Sequence, residues 1–510
     1  MSEGKMYGDL EVRELDPAMR LSRVCLIYTG GTIGMVPSDS SNPESPLRPA
    51  SLEELLNAVE GLGEREGIEL GMVSFLDPVD SSDISSSNWI GIASAIEEHY
   101  ESFDGFVVLH GTDTMAFTTS GLSFLLNNLT KPVVVTGSQL PIIDPRTDAV
   151  MNLTSAVYIA GYRAMHLPKV TEVTLCFLTK LLRGNRATKV SSTDLQGFDS
   201  PNFPPLGALG EHIAIRKDLL WAAPQTERSQ FYVDKKLAED IKIILVNPGL
   251  TPEHLERDLR TEGLEGVILL TYGAGNMPTL PEFVDVIREA VRGGEGYSRP
   301  LVVMNVTQCL KGTVEMGLYE ASSGLLEAGV TSGLDMTVEA AVAKMYWALR
   351  KFQGHDVHTQ LQVAHRGEQS ENLSDLAFDP GKAKSKRTAA SRIQTEAQLI
   401  PGLYDRQRLT RAVVRVHGLG VDPAEGPEDA SVRIFINATA ADETTSVHDP
   451  SFVAEIPLGS LPLDGNVVRA ATDAAGSVVS AGQPVSVTLV GVQGRLWCRS
   501  IHVGLYTEAN

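Results

Sequence analysis

The 510-residue sequence has no run of 18 or more apolar residues, which excludes a membrane-spanning helix of ordinary length. Its opening, MSEGKMYGDLEVRELD, is too charged for a secretory signal, so a soluble cytoplasmic protein is expected. Basic charge is also scarce. There are 43 Lys and Arg against 64 Asp and Glu, a net charge of −21, and the only basic run, Lys382 to Arg387, lies in a polar stretch. So acidic a surface excludes nucleic acid and anionic membrane as general partners, since both need a basic patch. Cysteine is sparse too: Cys25, Cys176, Cys309 and Cys498 are widely separated. That spacing excludes a disulfide framework or a zinc site and reads as reduced structural thiols. No repeat of solenoid period is visible.

What is present is alternation. After a polar tail (1–20), apolar runs at 24–28, 106–109, 133–136 and 173–178 alternate with helical patterns at 51–61, 88–100, 118–129 and 149–162. This predicts a doubly wound, mostly parallel α/β sheet over 21–214. A connector (215–240) leads to a smaller α/β domain over 241–368, with runs at 242–246, 266–270 and 301–306. Residues 369–400 are polar and helix-tolerant and read as a linker or a loosely packed helix. Past residue 400 lysine is absent, and short alternating runs at 411–416, 432–438, 484–490 and 495–505 predict a small all-β, sandwich-like domain over 401–510.

Two clusters stand where strands end: Thr29-Gly30-Gly31-Thr32-Ile33-Gly34 and His110-Gly111-Thr112-Asp113-Thr114. Ligands bind at that edge of an open α/β sheet, and glycines there let a backbone approach a small molecule closely. The G-x-G-x-x-G spacing and a Gly-Lys-Ser/Thr sequence are both missing, which argues against a phosphate cradle. Thr32 opens a turn after two glycines and reads as a nucleophile, although a threonine hydroxyl needs a neighbouring proton acceptor. Ser81 and Ser82, between Asp80 and Asp83, suit either the N-cap of the helix near 88–100 or a carboxylate-binding turn. His110 reads as a structural histidine.

These clusters, with DSSD (80–83), TGSQ (136–139), RGNRATK (183–189), SPNFPPL (200–206), YGAGNMP (272–278) and NVTQC (305–309), resemble the cytoplasmic, type I branch of the bacterial-type L-asparaginases. The resemblance covers roughly residues 21–370. It implies a two-domain α/β architecture and hydrolysis of L-asparagine to L-aspartate and ammonia through a threonine acyl-enzyme. Thr32 would be the nucleophile, Thr112, Asp113 and Lys189 a hydrogen-bonded set, and Gly31, Asp80, Ser81, Ser82, Thr112, Asp113 and Ser138 the substrate cradle. Asn276 would reach the site from a neighbouring subunit, which implies a homodimer or homotetramer. No metal or organic cofactor is implied.

Two departures bear on that reading. Relatives place an activating tyrosine soon after the nucleophile, but residues 36–50 contain none, and Tyr319 matches the residue that animal-type relatives use instead. Leu270 stands where the allosteric bacterial branch has an arginine, although Thr188 and Cys309 match other positions of that regulatory pocket. Alternatives to asparagine hydrolysis are an ammonia-liberating amidotransferase subunit for glutaminyl-tRNA synthesis, a lysophospholipase-like activity and a non-catalytic binding protein.

Overall fold

The structure, a computed structural model, describes residues 6–38, 45–59, 61–64, 66–221, 230–238, 240–314, 316, 320–352, 355–370, 376–378, 392–397, 409–417, 420–421, 431–438, 440–457, 467–472, 485–492, 496–497 and 500–507. The chain divides into two compact units, residues 1–315 with 325–369, and residues 316–324 with 370–509.

A nine-stranded sheet underlies the first unit. In spatial order its strands are Glu11–Arg13, Ile68–Ser74, Ser22–Tyr28, Gly105–Leu109, Val133–Thr136, Val173–Phe177, Lys180–Arg183, Gly207–Leu209 and Ile213–Ile215. The five from Ile68–Ser74 to Val173–Phe177 run parallel, and the flanking strands are antiparallel. Parallel strands are largely apolar because helices cover both faces. Cys25 and Ile27 accordingly pack with Phe106, Val108 and Val135 on one face, while Val24, Leu26 and Tyr28 pack with Val107, Leu109 and Val134 on the other. Helices Ser86–His99 and Met115–Leu125 contribute to the first layer and Ala149–Ala160 to the second.

Numbered along the chain, the parallel strands lie in the order 2-1-3-4-5. The order therefore reverses between Ser22–Tyr28 and Gly105–Leu109. A crevice opens beyond the carboxyl ends of the strands at such a switch point. The segment expected as a polar tail supplies the edge strand Glu11–Arg13, paired with Ile68–Ser74.

The second lobe of this unit is a parallel sheet of Ile241–Leu245, Gly266–Thr271, Val302–Thr307 and Thr331–Ser332. Its helix Val338–Lys351 begins at Thr337, whose hydroxyl accepts from the Ala340 amide. That helix joins the core of the larger sheet, where Trp347 stacks on Phe124 with ring centroids 5.4 Å apart.

The second unit contains two four-stranded antiparallel sheets. One orders Leu376–Phe378, Ser500–Thr507, Leu409–His417 and Val467–Thr472, and the other Arg392–Ala397, Val485–Val492, Ser431–Ile436 and Phe452–Pro457. The two central strands of the second sheet are buried almost throughout, at Val432, Ile434, Phe435 and Ile436 and from Ser486 to Val490. Two described stretches of the segment expected as a 369–400 linker or loosely packed helix depart from that expectation. Leu376–Phe378 and Arg392–Ala397 are strands of this unit, because a helix-tolerant composition yields to pairing with a neighbouring strand. Among the described residues no helix is long and apolar enough to cross a membrane.

Candidate functional site

The two glycine-threonine clusters meet at the switch point. Thr29 is buried, and both its amide and its hydroxyl donate to the Leu109 carbonyl, at 3.1 and 3.0 Å, so it ties the first strand end to the second. Gly31 follows at φ 88° and ψ 164°, a region essentially reserved for glycine. A Cβ there would lie 2.6 Å from Gly111 Cα, and one on Gly111 would lie 2.5 Å from Ser81 Oγ. Three segments thus converge, with bare backbone at the Gly31–Gly111 contact and the Ser81 side chain against Gly111. Thr32, half-buried, opens the short 3₁₀ turn Thr32–Gly34 directly beyond this contact.

Ser81 is buried and serves as a hub. Its Oγ accepts from the Asp113 amide at 3.3 Å, and its carbonyl accepts from Thr114 Oγ1 at 2.6 Å. Lys189 arrives on a two-residue ribbon, Thr188–Lys189 against Phe198–Asp199. Its Nζ donates to Thr112 Oγ1 at 2.9 Å and pairs with Asp113 Oδ1 at 2.7 Å. The lysine side chain is 21% exposed and the aspartate 61%, so the pair faces an open crevice. Lysine has no acceptor, so it must take a lone pair of Thr112 and leave that hydroxyl's proton for another partner.

The other expected site residues divide. Asp80 Oδ1 accepts from both the amide and the hydroxyl of Ser82, at 2.9 Å each, and these bonds hold its carboxyl below the usual carboxylate range. The DSSD segment therefore caps its own 3₁₀ turn, Ser81–Asp83, whereas the following helix starts at Ser85, whose amide donates to Asn88 Oδ1. Ser138 is buried and donates to the Leu140 carbonyl at 2.6 Å, while neighbouring Gly137 abuts the His110 carbonyl. Asn276 sits in the turn after Gly266–Thr271, half-buried, and among the described residues its Oδ1 has no hydrogen-bond partner. Tyr319 lies outside the described residues, as does Cys498.

His110 is fully buried, with Nδ1 against the Gly111 carbonyl at 2.7 Å and Nε2 against Thr118 Oγ1 at 2.9 Å. Burial pushes its pKa down to about 4, so it is a neutral strut. Cys25 and Cys176 are buried thiols, but Cys309 is exposed past the end of Val302–Thr307. Of the residues compared above with a regulatory pocket, Leu270 is half-buried and Thr188 donates to Glu339 Oε1 at 2.7 Å. Sequence reasoning missed the burial of Arg183 and Arg186, which flank Asn185 in the segment leading to Lys189. Nothing in their local composition signals it. Among the described residues no three His, Cys, Asp or Glu side chains are grouped to hold a metal ion.

Residues 23–221 match the family described as asparaginase, N-terminal, and residues 240–361 the glutaminase/asparaginase C-terminal domain. The chain is 39% identical over 333 residues to L-asparaginase 1 of Escherichia coli (strain K12), which covers 65% of this chain and 93% of that protein. It is 35% identical over 378 residues to the 60 kDa lysophospholipase of Mus musculus, covering 70% of this chain and 64% of that one. Its structure resembles that of L-asparaginase I from Vibrio cholerae O1 biovar eltor, with a TM-score of 0.59 and 37% identity, over 68% of this chain and 99% of the other. With both domains matched in order and the crevice residues on the strand ends between them, the chain belongs to the asparaginase family.

Proposed function

We propose that this chain hydrolyses the side-chain amide of L-asparagine to L-aspartate and ammonia through an acyl ester on Thr32. The observation that carries the reading is the Lys189 bridge to Thr112 and Asp113, beside the Gly31–Gly111 contact from which Thr32 projects. Asp113 is exposed enough to meet the substrate's α-ammonium while Lys189 holds one of its oxygens. Ser81 Oγ accepts from the Asp113 amide, so its own proton can go to the substrate α-carboxylate.

Thr32 Oγ attacks the amide carbon, and backbone amides after the glycines, together with Thr112, stabilise the oxyanion. The carbon–nitrogen bond breaks and ammonia leaves with the proton. Water then attacks the ester, regenerating the Thr32 hydroxyl and releasing aspartate. Tyr319 is the proposed relay for the Thr32 proton, on its match to animal-type relatives and the tyrosine-free segment 36–50. The unpartnered Asn276 Oδ1 supports a second part of the reading, that this residue completes the site of a neighbouring copy in a cytoplasmic homodimer or homotetramer.

Ammonia release by the full chain with asparagine, glutamine and a lysophospholipid side by side tests the assignment. Turnover of asparagine is expected, and Thr32→Ala should lower it by on the order of 10³-fold or more, as removal of a covalent nucleophile does. Release no faster than the buffer blank, or a Thr32→Ala variant near wild type, overturns the reading. Fatty-acid release from the lysophospholipid in place of ammonia would favour the lysophospholipase alternative.

A further inference from the structure

The approach to Lys189 carries a set of buried polar side chains that the proposed reaction does not use. Arg183 Nε pairs with Glu172 at 2.7 Å, its Nη2 donates to the Leu219 carbonyl at 2.6 Å, and its guanidinium lies 4.4 Å from the centre of the Phe203 ring. Asn185 Nδ2 donates to the Arg366 carbonyl at 3.0 Å. Arg186 Nε donates to the Gly367 carbonyl at 2.8 Å, and its Nη1 pairs with Asp335 at 2.9 Å. Ala187 is fully buried, and Thr188 is bonded to Glu339. Each side chain from Asn185 to Thr188 is thus held from outside the segment, and the next residue is Lys189.

The receiving segment, 364–369, is itself pinned. Glu368 is fully buried, accepts from the amides of His365 and Arg366, and pairs with the equally buried Lys344 at 2.7 Å. Lys344 also donates to the Leu361 and Val363 carbonyls and to Gln369 Oε1. Arg366 reaches back to the Ser123 carbonyl at 3.1 Å and to Asn127 Oδ1 at 2.8 Å. Gly367 stands at φ 71°, and a Cβ there would lie 2.8 Å from Arg183 Cζ.

Buried ion pairs are poor stabilisers, because well-packed apolar residues of similar volume often do as well or better. Stability alone is therefore a weak account of three buried cations, Arg183, Arg186 and Lys344, in one small region. What directional bonds add is a fixed position, and a reacting group must be held to within about 0.5 Å of its productive geometry.

We propose that residues 364–369 form a latch that sets the position of Lys189 against Thr112 and Asp113, with Arg186, Asp335 and Glu368 as positioning residues. The proposal rests on the hydrolase reading for its kinetic consequence, but not for its geometry. Two readouts on the full chain separate the two. Arg186→Lys keeps the charge and loses the fork that spans Gly367 and Asp335. Its kcat for asparagine is expected to fall by on the order of 10²-fold, with KM changing much less, since misplacement of about 1 Å has that effect. Independently of any activity, Lys189 should react faster with an amine-acetylating reagent, read by mass spectrometry of its peptide, because its two bonds loosen.

A control, Arg260→Lys in the exposed pair with Glu256, should move neither readout. Wild-type kcat together with wild-type Lys189 acetylation in folded Arg186→Lys overturns the latch, and so does a fall in kcat with unchanged acetylation. Should Arg186→Lys not fold, Asp335→Asn carries the same two measurements. If the wild-type chain releases no ammonia from asparagine, the hydrolase reading fails, and Lys189 acetylation alone decides the latch.

Discussion

At Gly31 the φ of 88° and ψ of 164° would strain any residue with a Cβ by about 1–3 kcal/mol, before the collision with Gly111 is counted. Gly31→Ala should therefore lower the melting temperature and abolish ammonia release together; a variant with wild-type values for both would show that the two strand ends need no such close approach. His110 acts through its charge state. Its pKa falls from an ordinary 6.5 to about 4 by burial, and that of His365 does the same. Between those values the unfolded chain binds protons that the folded chain does not, so the contribution of each to stability is full above about pH 6.5 and is lost as pH falls toward about 4. Melting temperature should accordingly drop across that interval, and NMR should show the His110 imidazole still neutral at pH 5. A protonated His110 at that pH would contradict its role as a neutral strut.

The elements differ in how much of themselves they announce. Val24 to Tyr28 and Phe106 to Leu109 are continuous apolar runs, and their burial on both faces makes them legible. Ile68–Ser74 lies between an edge strand and Ser22–Tyr28, yet Glu69 and Gly71 interrupt its pattern. Glu69 is buried because Arg23 pairs with it at 2.7 Å, and Gly71 makes room for the Phe103 ring, which a Cβ would meet at 2.7 Å. Neither partner is adjacent in sequence. The strand Gly266–Thr271 carries its own consequence, since it ends with the apolar Leu270 before Thr271, and Thr188 is already engaged by Glu339. Cooperativity needs a second site coupled to the first, and a leucine cannot clamp a carboxylate. Steady-state rates should therefore depend hyperbolically on asparagine concentration, and a sigmoidal curve from a homogeneous oligomer would mean that another residue supplies the charge.

For the whole molecule, the division after Gln369 sets where the chain can be cut. A chain ending at residue 369 keeps Glu368 and Gln369 on Lys344 and should stay folded and release ammonia from asparagine. Ending at residue 361 removes Glu368 and leaves Lys344 buried without its counter-charge, which costs about 3–5 kcal/mol. Thermal melting and ammonia release on the two truncated chains should separate them, and equal behaviour would show that the Lys344–Glu368 pair bears no weight. The tail's charge is ordinary, with 12 acidic and 8 basic residues over 401–510, and gives no sign of a nucleic-acid or membrane surface.

The glycine-threonine clusters holding Thr32, Thr112 and Asp113 were legible at strand ends from local signals, because apolar periodicity and glycine-threonine chemistry are written into short stretches of chain, whereas Lys189 stood out only through the resemblance carried by RGNRATK. The meeting of those residues was not legible. Lys189 reaches Thr112 across 77 positions of sequence, and Arg186 reaches Gly367 across 181. The helix-tolerant segment 392–397 became a strand for the same reason, its partner lying at 485–490. A residue's charge is readable from its letter, but whether that charge is buried depends on partners that only the folded chain brings within bonding distance. Desolvating Arg186 without Gly367 and Asp335 would be prohibitive, so its place in the site was decided by tertiary structure.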